Sequence, residues 1–154
     1  MDAYIGIDLS SRFIDAAQRS HPKLRFWQGS FLDATAPFSA QRFDAVVFNG
    51  ALHCFADVEG ALTRAAALLR PSGGPARVVL AHYRGAANAR EEHMRCPQIA
   101  SSLLPTLAEL RGLASRLGLR LHTPSELGVP GATRADEEAT LEKFYLVVLE
   151  RSAS

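Results

Sequence analysis

Residues 43–53 read Phe-Asp-Ala-Val-Val-Phe-Asn-Gly-Ala-Leu-His and open the most informative stretch of the chain. Residues 43–48 are short and largely apolar, which is typical of a β-strand covered on both faces. Apolar residues then recur at helical spacing between Val58 and Leu69, and Asp57 precedes them as a plausible helix cap. Proline and glycine interrupt the pattern at residues 70–75, before an apolar strand at 76–81. The stretch therefore predicts strand, helix, turn and strand.

Upstream, two further strands flank a helix. Residues 3–8 are mostly apolar and end at a carboxylate, and Ser10 and Ser11 behind them suit a helix start. Pro22 should end that helix, because proline restricts the residue before it and cannot continue the hydrogen-bond ladder. Residues 24–28 then form the next strand.

Downstream, apolar residues from Leu103 to Leu117 form a helical stripe, and Gly118 suits the left-handed residue that ends a helix. Residues 119–123 and 144–150 supply two closing strands. Strands that alternate with helices predict an α/β fold, a three-layer sandwich around a largely parallel sheet, in one domain. Two long segments, 84–102 and 124–143, match no regular element and are expected to be functional or mobile loops.

Composition narrows the classes of partner. The chain has 154 residues and a formal charge of +1, without a basic block for nucleic acid or an anionic membrane. Cys54 and Cys96 are far apart and predict neither a disulfide framework nor a thiolate zinc site. No apolar run approaches the roughly 18 residues that a membrane span requires. A soluble protein is expected, with the cytoplasm as the default compartment and an organelle left open.

Three stretches, in their order and spacing, resemble the methyltransferase type 11 group of class I S-adenosylmethionine-dependent methyltransferases. They are residues 5–10 (Ile-Gly-Ile-Asp-Leu-Ser), 26–33 (Phe-Trp-Gln-Gly-Ser-Phe-Leu-Asp) and the block 43–80. The resemblance is strong over about the first 82 residues and continues by element order alone. It implies a Rossmann-like sheet, S-adenosylmethionine as cofactor and methyl transfer to an unidentified, small-molecule acceptor.

One part of the family pattern has no counterpart. The family's first strand ends in a glycine-rich turn of D-x-G-x-G type, where the backbone can approach the cofactor closely. Here Met1 and Asp2 stand directly before the family's second strand. The resemblance places the missing strand centrally, between the strands that end at Asp8 and Asn49. We therefore expect an N-terminally incomplete domain over residues 1–154, in which either the sheet rearranges or a longer protein supplies the strand.

The resemblance assigns cofactor contacts to four residues that follow the first two strands. Asp8 would accept hydrogen bonds from both ribose hydroxyls, although an acid at a helix N-terminus is its alternative interpretation. Leu9 would pack beneath the adenine, with a plain core role as the alternative. Ser30 and Phe31 stand at the adenine edge, where many relatives carry an acid.

Residues after the next strand complete the assignment. Asn49, Gly50 and Ala51 are expected near the amino-acid part of the cofactor and the methyl group. His53 belongs to the family's Leu-His-x-Phe run and is a weak candidate for a catalytic base, with packing beneath a helix start as its competitor. Methyl transfer is an in-line displacement that depends mainly on alignment, so segments 84–102 and 124–143 are candidates for substrate cover.

The remaining histidines, cysteines and acidic runs give weaker functional signals. His53, His82, His93, Cys54 and Cys96 include residue types that bind soft metals, but no pair has the spacing that preorganises ligands, so no metal site is predicted. Two acidic runs, 91–92 and 136–138, are most simply charged surface.

Three functional hypotheses follow. The first is a methyltransferase or a fragment of one, with doubtful activity as this chain. The second is a non-catalytic domain that acts through its surface or pairs with a chain supplying the missing strand. The third is another doubly wound nucleotide-binding domain, which explains less because no phosphate-cradling glycine motif is present. The first predicts poor S-adenosylmethionine binding until an upstream strand and loop are restored.

Overall fold

A computed structural model describes residues 4–71 and 74–151. The chain divides into two compact units, Met1–Phe43 and Asp44–Ser154. Ala3 at the start of the first predicted strand, and Ser72 and Gly73 in the predicted turn, lie outside the described residues.

The first unit is a β-α-β element. Strands β1 (Ile5–Asp8) and β2 (Arg25–Gln28) pair in parallel, with Asp8 opposite Gln28, and helix α1 (Ser11–Ser20) connects them. Ser10 caps α1, because its side chain accepts a hydrogen bond from the Phe13 N–H. The core of this unit is aromatic: the Phe38 ring, 1% exposed, lies 5.4 Å from Trp27 edge to face and 6.1 Å from Phe31 in a stack.

The second unit contains a four-stranded mixed sheet in the order β3-β4-β6-β5. Its strands are β3 (Ala45–Asn49), β4 (Ala76–His82), β5 (Arg120–His122) and β6 (Tyr145–Arg151). The β3–β4 pair is parallel, whereas β6 runs antiparallel to both β4 and β5. Alternate residues of β4, among them Val78 and Leu80, are fully buried, as a central strand requires.

A short 3-10 helix (Leu52–Cys54) and four α-helices accompany this sheet. The α-helices are α2 (Val58–Leu68), α3 (Gly85–Arg95), α4 (Leu107–Arg116) and α5 (Glu137–Lys143). Asp57 caps α2 as predicted, and Gly118 has φ 64° just after α4. Helix α3 begins at Gly85, which has φ 72° and leaves no room for a Cβ against the Glu142 carbonyl.

The structure confirms the α/β class and all six predicted strands to within two residues at each described end. Two predictions are wrong: segments 84–102 and 124–143 are not irregular, because they contain α3 and α5. The strands form two separate hydrogen-bonded sheets within the described residues, β1-β2 and β3-β4-β6-β5. Among the described strands, β1 pairs with β2 alone and β3 pairs with β4 alone.

Candidate functional site

The first pair of predicted cofactor residues follows β1. Asp8 is the last residue of the strand and is exposed, and its Oδ1 accepts a hydrogen bond from the Ser10 N–H at 2.8 Å. This contact holds the carboxylate beside the N-terminus of α1, so the helix-start role left open by the sequence is present. The Leu9 side chain is 73% exposed and therefore is not a core residue of the described unit.

The second pair, Ser30 and Phe31, follows β2, and its two side chains differ in exposure. Ser30 is exposed, and its Oγ accepts a hydrogen bond from the Leu32 N–H at 3.2 Å. The Phe31 side chain is 9% exposed and stacks on Phe38. The ring of Phe31 therefore belongs to the core of the first unit.

In the second unit, residues Asn49, Gly50 and Ala51 lie where β3 ends. Asn49 is exposed, and Gly50 has φ 62°, a conformation in which glycine avoids the steric cost of a side chain. The Gly50 N–H donates to the Ala81 carbonyl at 2.8 Å, so this turn is fixed to the end of β4. Because β3 and β4 are parallel, residues after both strands meet at the same edge of the sheet.

At that edge, His53 and Glu92 form a polar pair. His53 lies in the 3-10 helix, is 3% exposed, and places its Nε2 2.9 Å from Glu92 Oε2. The Asn88 amide, one turn earlier on α3, donates to the other oxygen, Glu92 Oε1, at 2.5 Å. The carboxylate is thereby oriented by two groups, and it in turn orients the His53 ring.

His82, the last residue of β4, faces the same carboxylate. Its side chain is 3% exposed, its Nε2 lies 3.8 Å from Glu92 Oε2, and its ring centroid is 5.1 Å from that of His53. One ligand-type atom from each of His53, His82 and Glu92 lies within 4.8 Å of the others. We call these three residues the His-His-Glu cluster.

Burial and charge act on the cluster in opposite directions. Burial lowers the pKa of His82, and the neighbouring His53 lowers it further, although Glu92 opposes both. Partial burial raises the pKa of Glu92, but the Asn88 hydrogen bond and the contacts with both histidines outweigh it, so the pKa falls below its ordinary value. The site therefore favours an ionised carboxylate beside a neutral His82.

Sequence reasoning missed this cluster. It compared histidines and cysteines by spacing and assigned Glu92 to charged surface, which is wrong because Glu92 is a part-buried partner of His53. The same interpretation is wrong for Glu137, which is 8% exposed and accepts a hydrogen bond from Ser125 Oγ at 2.5 Å. The members at 53, 82 and 92 come from three elements, and no local spacing connects them.

The second unit also contains a cleft. It is lined by residues of α2, α3 and α4 and of the segment 103–106, and its charged lining residues are Glu59, Arg90, Glu109 and Arg116. The Arg90 guanidinium is also paired with Glu142 of α5. Segment 84–102, proposed as substrate cover, thus contributes Ala86 and Arg90 to the wall of a cleft.

Comparisons with known proteins agree with this fold. Residues 2–75 match a family model described as a methyltransferase domain. An O-methyltransferase family protein from Burkholderia thailandensis has a TM-score of 0.68 at 17% identity, over 99% of this chain and 44% of its own. A TehB-like S-adenosylmethionine-dependent methyltransferase from Corynebacterium glutamicum has a TM-score of 0.62 at 21% identity, over 97% and 68%.

A third similar structure comes from a complex between the Trm112 methyltransferase activator and a methyltransferase of Haloferax volcanii. It has a TM-score of 0.63 at 22% identity, over 96% of this chain and 71% of its own. A search of curated proteins found no significant match. The chain spans 44% of the first of these structures.

The similar structures show a Rossmann-like fold, and the match to the methyltransferase family model covers residues 2–75, just under half of the chain. Part of the chain thus resembles a methyltransferase domain in sequence, and the chain resembles these methyltransferases in fold. Among the described residues, no helix combines the length and hydropathy needed to cross a membrane.

Proposed function

We propose that this chain binds S-adenosylmethionine and contributes to methyl transfer from its sulfonium centre to a small-molecule acceptor. The observation that carries the proposal is Asp8: an exposed carboxylate at the carboxyl end of β1, within the family-matched residues 2–75. Ligands of doubly wound folds bind at this end of the strands. When bound, the cofactor supplies an electrophilic methyl group.

The residues of the first unit fit the adenosine part of such a ligand. Asp8 uses Oδ1 to accept from the Ser10 N–H, and Oδ2 makes no hydrogen bond to another described residue. A carboxylate with an oxygen available can accept from ribose hydroxyls. Leu9, 73% exposed, offers an apolar surface that adenine would cover.

The residues of the second unit fit a role near the transferred group. Asn49, the last residue of β3, is exposed, and the left-handed Gly50 lets the backbone turn there without a side chain. His53 remains a candidate base, with Glu92 holding its ring in place at 2.9 Å.

A second candidate function is a non-catalytic methyltransferase-like domain. It is favoured by the pairing of β3, which is hydrogen-bonded to β4 alone among the described strands. In that case the edge of β3, where Val47 is 59% exposed, would take a strand from another segment or partner. The archaeal relative's complex with an activator protein offers a precedent for a partner.

Calorimetric titration with S-adenosylhomocysteine distinguishes cofactor binding from a non-catalytic domain. The chain should show weak, saturable binding, and Asp8→Asn should weaken it at least about tenfold, since a carboxylate–hydroxyl bond is worth about 1.5–3 kcal/mol. Asp15→Asn, an exposed acid on α1, is the matched control and should bind like the unchanged chain. A folded chain that gives a flat titration, or equal binding by Asp8→Asn, would reject cofactor binding through Asp8 and favour the non-catalytic domain.

A further inference from the structure

The His-His-Glu cluster is built like a metal site. Its members come from the 3-10 helix after β3, the end of β4 and the middle of α3, and their ligand-type atoms lie within 4.8 Å of one another. We propose that His53, His82 and Glu92 bind one divalent transition-metal ion of the zinc and cobalt type.

Two of the three separations between the ligand atoms are close to those that such an ion requires, and the third is within 4.8 Å. Zinc binds imidazole nitrogen and carboxylate oxygen at about 2.0–2.2 Å, so neighbouring ligand atoms lie roughly 2.9–3.5 Å apart in octahedral or tetrahedral geometry. His53 Nε2 is 2.9 Å and His82 Nε2 is 3.8 Å from Glu92 Oε2. A shift of the His82 ring by a few tenths of an ångström brings the second distance into this range.

Three ligand-type atoms of the cluster face one another. The Nε2 atoms of His53 and His82, two almost fully buried rings, both face Glu92 Oε2. Two imidazole nitrogens and one carboxylate oxygen form a ligand set that transition-metal ions commonly bind.

The donor types select the class of metal. Imidazole nitrogen suits zinc, cobalt, nickel, copper and iron, whereas calcium and magnesium prefer sites made of oxygen. Two histidines and one glutamate leave at least one coordination position for water or another ligand. Asn88, which donates to Glu92 Oε1, is an outer partner of the kind that orients a ligating carboxylate.

The site adjoins the proposed cofactor-facing turn of the second unit. Gly50 N–H donates to the carbonyl of Ala81, the residue before His82. The metal proposal does not rest on methyl transfer, because its binding is measured without cofactor.

The test is titration of the full chain, first stripped with chelator, with cobalt chloride followed by visible absorbance and with zinc chloride by calorimetry. One ion should bind per chain. Glu92→Gln and His82→Asn should each weaken binding at least about tenfold, the lower end of the loss seen even for outer partners of metal sites.

Two matched controls separate the cluster from ordinary histidines and acids. Glu91→Gln changes the exposed neighbour of Glu92 on the same helix. His122→Asn removes an imidazole that lies 3.6 Å from Glu150 but does not belong to a three-residue group among the described residues. Both controls should bind metal like the unchanged chain.

Thermal unfolding with and without zinc separates a loss of metal binding from a folding defect. Zinc should raise the melting temperature of the unchanged chain and of Glu91→Gln, and it should not raise that of Glu92→Gln. If His82→Asn is unfolded, the Glu92 comparison still decides the matter. Lack of stoichiometric binding by the unchanged folded chain, or equal binding by Glu92→Gln, would overturn the proposal.

Discussion

His53 Nε2 lies 2.9 Å from Glu92 Oε2, and this contact joins the turn after β3 to helix α3 across 39 residues of sequence. The histidine is almost fully buried, and the glutamate side chain is 32% exposed. Because the Glu92 carboxylate also accepts from Asn88, the pair fixes a helix whose buried face otherwise consists of small residues such as Ala86 and Ala89. The contact is therefore expected to stabilise the second unit as well as to shape its site.

Loss of the Glu92 charge should destabilise the chain. In metal-free buffer, Glu92→Gln should lower the free energy of unfolding by about 1.5 kcal/mol, because a hydrogen bond to a charged group is worth about 1.5–3 kcal/mol and the amide replaces part of it. Urea unfolding measures the change. Glu91→Gln, its exposed neighbour, should stay within about 0.5 kcal/mol of the unchanged chain, and equal stability of the two variants would contradict the structural role of the pair.

A buried phenol holds β6 to the segment before α4. Tyr145 is 1% exposed, and its hydroxyl donates to the Pro105 carbonyl at 2.7 Å. Tyr145→Phe keeps the ring and removes this bond, so the free energy of unfolding should fall by about 1 kcal/mol. Tyr83→Phe, at a ring that is 73% exposed, is the control. A loss no larger in Tyr145→Phe than in Tyr83→Phe would show that the bond contributes nothing net.

The capping box of α4 makes part of the stability depend on pH. The Thr106 N–H and hydroxyl both donate to Glu109 Oε2 at 2.8 Å and lower the pKa of Glu109 below its ordinary value of 4.5. A lowered pKa in the folded state stabilises the protein above the ordinary value, and the stabilisation is lost as the pH falls through the lowered pKa.

The comparison with Glu109→Gln isolates this effect. The unchanged chain should be the more stable one at pH 6 to 7, and its advantage should shrink steadily below about pH 4.5. Urea unfolding at a series of pH values measures the difference. A difference that is constant with pH, or that grows as the pH falls, would contradict the assignment.

Much of the fold could be predicted because its signals are local. Asp57 and Ser10 stand where helices begin, Gly118 follows a helix with positive φ, and the apolar strand at 76–81 is the central strand β4. Each of these positions is identified by residue type and immediate neighbours.

Helices α3 and α5 could not be predicted, because α3 buries mainly small residues and α5 is short. The buried face of α3 consists of Gly85, Ala86, Asn88 and Ala89, which make no apolar stripe, and α5 has seven residues, too few to establish a period. The antiparallel direction of β6 leaves no mark in its own sequence.

In the candidate site, too, residues with local sequence signals could be predicted and residues brought together by packing could not. Asp8 and Asn49 could be selected because strand ends are visible in the sequence and the family resemblance gives them roles. The His-His-Glu cluster could not, because His53, His82 and Glu92 meet only through the packing of three elements. The core position of the Phe31 ring, stacked on Phe38, is likewise a tertiary contact.

The central claim is that Asp8, at the carboxyl end of β1, contacts S-adenosylmethionine. Its most direct test compares the S-adenosylhomocysteine affinity of the 154-residue chain with those of Asp8→Asn and Asp15→Asn. Asp8→Asn should bind at least about tenfold more weakly, and Asp15→Asn should bind like the unchanged chain. Equal affinity of the folded Asp8→Asn variant and the unchanged chain would contradict the claim.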